Sequence, residues 1–188
     1  MADDSVEPTL ADGSVPSTPG DLFVRFEQLG IETKTVEHPP VFTVEEAKAL
    51  RGEIVGCHTK NLFLRNKKGK MWLVVCLEDR AINLKELGER LGSGRLSFGS
   101  ADRLMKYLGV IPGAVTPFAI INDKAGDVRV AVDKAVLGRD PLNFHPLDNA
   151  QTTSIVADDL LRFLEAEGHT ARIIDFDRKW SAIDPRVS

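Results

Sequence analysis

The chain has 188 residues, 43% hydrophobic and 28% charged, which fits one soluble globular domain with a single sizeable core. No apolar run reaches the roughly 18–20 residues of a membrane helix. The N-terminus MADDSVEPTLADGSVPSTPG lacks the basic region and apolar core of a secretory signal. A cytoplasmic protein with no membrane partner is therefore expected.

The net charge is −4, but residues 1–20 hold Asp3, Asp4, Glu7 and Asp12 and no Lys or Arg. Setting those four aside leaves 24 of the 28 acids against 24 bases. A nucleic-acid partner must then be held by a local basic patch on a balanced surface, and no DNA partner is expected. The two cysteines, Cys57 and Cys76, show neither zinc spacing nor a disulfide framework, and read as reduced thiols.

In chain order, residues 1–20 are rich in Pro, Ser, Thr, Asp and Gly and predict a disordered acidic tail. A helix follows over DLFVRFEQLG, closed by Gly30. TKTVEH predicts a short strand, and TVEEAKAL a short helix with a Thr43–Glu46 capping box. TKNLFLRN and MWLVVCL, joined by KKGK, predict a β-hairpin. NLKELGERL, capped by Asn83, and SADRLMKYLG, between Ser100 and Gly109, predict two more helices. FAIIND and DVRVAVD predict a second hairpin. TTSIVA predicts a strand, DDLLRFLEAEG a helix and TARIIDF a last strand. Hairpins mixed with single helices, without regular βαβ alternation, predict an α+β single domain with a mixed sheet. No glycine-rich phosphate loop is present, so no nucleotide cofactor is indicated.

Three segments hold more chemistry than a core needs. Lys60, with Asn61 beside it, heads an apolar strand, where a lysine either snorkels to solvent or enters a cleft to pair with a phosphate or polarise a carbonyl. GVIPGAVTPF, residues 109–118, is a stiff loop that could aim backbone N–H groups inward or serve only as a tight connection. NFHPLDN, residues 143–149, sets His145 beside Pro146, Asp148 and Asn149, so the histidine is either a structural residue or a proton carrier. His38, His58 and His169 show no zinc-binding spacing, and no metal is expected.

FTVEEA, HTKNLFLRNKKGKMWLVV, RLSFGSADRLMKYLGVIPGAVTPFAIIND and NFHPLDNAQTTSIVADDLLRFL stand in one order. Together they closely resemble the YbaK/ProX family, the aminoacyl-tRNA editing domains related to the insertion domain of bacterial prolyl-tRNA synthetase. TKNLFLR and FHPLDN place the resemblance nearest the free-standing ProX (PrdX) branch, which hydrolyses alanine mischarged on proline tRNA. The resemblance implies a mixed, partly closed β-sheet flanked by helices over residues 21–175. The acidic tail 1–20 and a C-terminal extension 176–188 lie outside it.

It also implies that Lys60 matches the family's essential lysine, that Gly113, Ala114, Val115, Thr116 and Pro117 match its G-x-x-x-P loop, and that His145 matches the pocket histidine. The expected activity is deacylation of alanyl-tRNA(Pro) without a cofactor. Water is the attacking group, and Lys60 holds either the terminal phosphate or the ester oxygen. Asn61, Val41, Phe42, Phe118, Asp148 and Asn149 are the implied substrate contacts. Arg65, Lys67, Lys68 and Lys70 form either a solvated hairpin tip or a contact to the acceptor stem. Prolyl-tRNA synthetase is an implied transient partner. The alternatives are a YbaK-like activity on cysteinyl-tRNA(Pro) and a non-catalytic module that only holds tRNA or a synthetase.

Overall fold

The computed structural model describes residues 7–40, 44–51 and 54–181. Its helices are α1 (Pro19–Leu29), α2 (Val44–Arg51), α3 (Leu84–Leu91), α4 (Ala101–Leu108), α5 (Lys134–Leu137) and α6 (Ala157–Ala166). Its strands are β1 (Lys34–Glu37), β2 (Cys57–Asn66), β3 (Met71–Leu77), β4 (Leu96–Phe98), β5 (Val128–Asp133), β6 (Leu142–Phe144), β7 (Gln151–Ile155) and β8 (Arg172–Ile174).

The strands form one mixed sheet in the order β1-β7-β6-β2-β3-β5-β8, with β4 paired to β2. β1 and β8 are its two open ends. β2 is the hinge of this arrangement. It pairs with β3 along most of its length, with β6 in parallel at Cys57 and His58, and with β4 at Leu64–Asn66. β3, β5 and β8 are mutually parallel.

Side chains alternate across a strand, so β2 feeds two separate cores. Phe63 packs with Leu73, Val75, Val130 and Val132 beneath α1, α4 and α6. Leu62 and Leu64 pack on the other face with Trp72, Val74 and Ala131 beneath α3. The predicted helix ends hold: Asn83 caps α3, Ser100 caps α4, and Gly30 and Gly109 close α1 and α4 in left-handed conformations. At Gly109 a side chain is excluded twice, since a Cβ would also lie 2.6 Å from Asn122 Nδ2.

Three features differ from the sequence expectation. FAIIND is not a strand, and the second hairpin does not form. Pro117–Asn122 is a 3-10 helix, while β5 pairs in parallel with β3 and β8. Pro117 fixes φ at the first helical position and lacks the N–H a ladder needs. Thr116 Oγ1 accepts from Phe118 N at 3.3 Å, and a run buried on every side shows no period to separate strand from helix.

Residues 7–18, expected within a disordered tail, lie against the domain. Leu10 is buried, Ala11 N donates to Lys106 O, and Ser17 N donates to Asn122 Oδ1 at 2.9 Å. Thr18 then forms a capping box with Asp21, so α1 begins earlier than expected. Past β8, the chain folds back over α3, where Arg90 lies over the rings of Phe176 and Trp180 and donates to Asp175 O and Arg178 O. The Thr43 half of the predicted capping box on α2 lies outside the described residues.

Candidate active site

The three candidate segments meet at the 109–118 loop, through Asn61 on one side and Asn149 on the other. On β2, Asn61 Nδ2 donates to Val115 O at 3.1 Å and so clips the strand to the 109–118 loop. The acceptor is a carbonyl, so this side-chain nitrogen is fixed as the donor and Oδ1 is left on the far side of the amide. That Oδ1 is buried with no hydrogen-bond partner among the described residues. Two positions earlier on the same face, Thr59 Oγ1 is buried and unpartnered as well. On the other flank of the loop, Asn149 is buried, and its Nδ2 also lacks a partner. It lies 3.8 Å from where a Cβ on Gly113 would stand. Buried polar atoms are nearly always paired. Among the described residues three such atoms lack a partner, and two of them, on Asn61 and Asn149, belong to side chains beside residues 113–115.

The segment 143–149 is shaped to present its residues. Leu147 adopts φ 71°, a left-handed conformation costly for a residue with a branched side chain. Asp148, expected to touch substrate, instead holds this turn, accepting from Ala150 N at 2.9 Å and from Gln151 Nε2 at 3.3 Å. His145 Nδ1 lies 2.8 Å from Gln151 O. A carbonyl only accepts, so Nδ1 carries the proton, and in the neutral ring the lone pair is on Nε2. The ring of His38 stands 6.1 Å from that of His145, tied to Thr152 Oγ1. Nothing in the sequence singled out His38 or Thr59, although the period of two on β2 already set Thr59 on the face of Asn61.

The loop itself is more structural than its residue types suggested. Ala114 N donates to Ile111 O at 2.9 Å within a 3-10 turn, Pro112–Ala114, so this amide is spent inside the loop. Thr116 caps the next helix and Pro117 opens it. Phe118, expected as a pocket wall, lies in the aromatic core with edge-on contacts to Phe26, Phe144 and Phe163. It braces the loop from behind. Gly113 and the Val115 carbonyl remain as the loop's contribution to the ligand side. Val41 and Phe42, the other expected walls, lie outside the described residues.

Lys60 is not joined to this loop. It sits on the Leu62–Leu64 face of β2, opposite to Asn61, and its ammonium donates to Arg80 O. Its cross-strand partner is Cys76. Burial pushes the Cys76 thiol up to about 11, and burial raises Cys57 as well. Both stay protonated near neutral pH and are poor nucleophiles.

Arg65, Lys67, Lys68 and Lys70 cluster at the β2–β3 turn, where Asn66 Oδ1 accepts from the N–H groups of Lys68 and Lys70. At roughly 3.3 Å per residue, the end of β2 lies about 20 Å from Lys60. Among the described residues, no group of three His, Cys, Asp or Glu side chains is placed to hold a metal, and no helix is long and apolar enough to cross a membrane.

In this α+β domain the polar side chains of Asn61 and Asn149 flank one loop held between Pro112 and Pro117. The model of the aminoacyl-tRNA editing domain matches residues 38–163, and the chain belongs to that family. It is 41% identical over 155 residues to the prolyl-tRNA editing protein ProX of Acetoanaerobium sticklandii, covering 82% of this chain and 94% of that one. It is 43% identical over 162 residues to prolyl-tRNA synthetase associated domain-containing protein 1 of Mus musculus, covering 84% and 95%. A solved structure described as a candidate trans-editing enzyme for prolyl-tRNA synthetase superposes with TM-score 0.65 at 21% identity, over 85% of this chain and 96% of the other. That structure shares the fold.

Proposed function

We propose that this chain is an aminoacyl-tRNA deacylase that clears alanine from mischarged proline tRNA. The observation that carries this reading is the set of unpartnered buried atoms, Thr59 Oγ1, Asn61 Oδ1 and Asn149 Nδ2, around Gly113–Val115. An aminoacyl ester offers an α-ammonium donor and a carbonyl oxygen acceptor three bonds apart. Asn61 Oδ1 and the Thr59 hydroxyl accept from the ammonium. Asn149 Nδ2 donates to the carbonyl and, more strongly, to the oxyanion that replaces it.

Water, held by the terminal 2′-hydroxyl, adds to the carbonyl carbon, and His145 Nε2 receives its proton. Collapse of the tetrahedral intermediate breaks the bond to the ribose oxygen, which takes up a proton and leaves as the free tRNA hydroxyl. Lys60 lies on the other face of β2, a position better suited to the terminal phosphate than to the carbonyl. It keeps two further N–H donors for that purpose. In this reading the basic turn at Arg65, Lys67, Lys68 and Lys70 contacts the acceptor stem.

Selectivity in this reading is steric, because proline's ring adds two carbons where alanine ends in a methyl group. Attraction for a methylene discriminates by only about 10–200-fold, so a small pocket that refuses the larger residue adds what binding alone does not supply. The test compares alanyl, cysteinyl and prolyl esters on one tRNA(Pro), with wild type and Lys60→Ala. Preferential loss of alanine, abolished by the substitution, supports the reading. Preference for cysteine replaces it with the cysteinyl activity, and no turnover of any ester replaces it with a binding module.

A further inference from the structure

The carbonyl that receives the Lys60 ammonium belongs to a residue whose own side chain is anchored at both ends. Arg80 Nε donates to Asp133 Oδ2 at 2.8 Å and Nη2 to Asp133 Oδ1 at 3.3 Å. The same guanidinium donates from Nη1 to Asp177 Oδ1 at 2.7 Å and from Nη2 to Asp177 Oδ2 at 3.3 Å. Asp133 is fully buried at the end of β5 and also accepts from Ala135 N at 2.9 Å. Asp177 is on the segment that follows β8 and is largely exposed.

The sheet register explains why these groups meet. Lys60 pairs with Cys76, and the next step of the β3–β5 ladder past Val75–Val132 sets Cys76 beside Asp133. Lys60, Cys76 and Asp133 therefore form a row across three neighbouring strands on one face, and Arg80 spans it from above. A buried carboxylate is costly unless paired. Asp133 caps α5 through the bond from Ala135 N, and its carboxylate also takes the Arg80 guanidinium, so the pair ties the helix start to the residue that holds Lys60.

We propose that Asp133 and Arg80 are positioning residues that fix the Lys60 ammonium through the Arg80 carbonyl, and that Asp177 fastens this clamp from the C-terminal segment. An unrestrained lysine side chain is flexible. One hydrogen bond to a fixed carbonyl limits the ammonium to a small arc and aims its other two N–H groups. The cation is then in place before the tRNA end arrives. Arg80 suits the task because its planar fork grips two carboxylates at once, which a lysine cannot do. The inference rests on the reading that Lys60 acts in the deacylation.

The test uses the full chain and two variants. Arg80→Lys keeps the backbone carbonyl and the charge but loses the fork. Asp177→Ala removes the exposed partner alone and leaves the buried pair, so it serves if the first variant folds poorly. Two quantities are read: the 15N–1H signal of the Lys60 ammonium, assigned by its loss in Lys60→Ala, and kcat/KM for alanyl-tRNA(Pro).

The expected result is a weakened or shifted ammonium signal in both variants. It comes with a fall in kcat/KM of about tenfold for Arg80→Lys and about two- to threefold for Asp177→Ala, in proportion to the positioning lost. A rate that falls while the ammonium signal stays unchanged in both variants overturns the proposal and leaves Arg80 a structural residue. An unchanged rate overturns it too. Wild-type turnover by Lys60→Ala overturns the role of Lys60 itself, and that outcome is recognised without reference to the Arg80 variants.

Discussion

Asn61→Leu separates binding from stability at one position. The side chains are nearly equal in size, so no cavity forms. The substitution removes the hydrogen bond to Val115 O, worth about 1 kcal/mol net. It also removes the buried, unpartnered Oδ1, and a polar atom left unsatisfied in the interior costs about 1–3 kcal/mol. The two nearly cancel, and the balance falls between no change and a gain of about 2 kcal/mol, the difference of those figures. The ligand loses an acceptor for its ammonium. A hydrogen bond to a charged group contributes about 1.5–3 kcal/mol, which at roughly 1.4 kcal/mol per decade is a loss of about 10–150-fold in kcat/KM.

Denaturant unfolding and single-turnover deacylation of alanyl-tRNA(Pro) measure the two sides. The expected variant is as stable as wild type, or more so, and is catalytically poor. A variant destabilised by more than about 2 kcal/mol makes Asn61 a scaffold residue, since that exceeds the one hydrogen bond it makes. A variant that keeps its rate within threefold would falsify the assignment of Oδ1 to the substrate.

Gly113→Ala leaves the fold intact, because the new methyl lies 3.8 Å from Asn149 Nδ2 and the backbone there is not left-handed. Its melting temperature should match wild type while alanyl turnover falls at least tenfold by occlusion; equal turnover would show that the substrate does not approach Gly113. Acid stability should depend on Asp123. Burial alone would raise its carboxyl, but hydrogen bonds from His169 and from the Val128 and Asp127 N–H groups outweigh this and hold it below the ordinary 3.8. A lowered folded value contributes stability that is present above the unfolded value and lost as pH falls through the folded one. Urea midpoints of wild type should therefore drop below about pH 4, and those of Asp123→Asn should drop less; parallel curves would refute the assignment. Cys76, raised to about 11 by burial, should resist thiol reagents at pH 8 until the protein unfolds, and prompt labelling of native protein would show that the row beside Lys60 is open.

What was legible in the sequence divides along physical lines. Helix ends were readable where one side chain makes the cap, as at Asn83 and Ser100. The β2–β3 hairpin was readable from its turn and its apolar flanks. Pro117–Asn122 was not, because an apolar run buried on all sides carries no period, and a proline can end a loop as well as open a helix. The strands β4 and β6, of three residues each, are too short to announce themselves and exist because β2 offers them an edge. Asn61 and Asn149 lie on either side of the 109–118 loop. The alternation on β2 already implied that Lys60 and Asn61 face opposite ways. Asp133 and Arg80 lie 53 positions apart, a separation at which no local pattern signals contact.

Deacylation is measured by incubating purified protein with labelled alanyl-tRNA(Pro), with prolyl-tRNA(Pro) and alanyl-tRNA(Ala) alongside. Rapid release of alanine from the first and little from the other two is expected. Equal release of proline and alanine from tRNA(Pro) would contradict the steric reading of the pocket, and no release from any of the three would contradict deacylation itself.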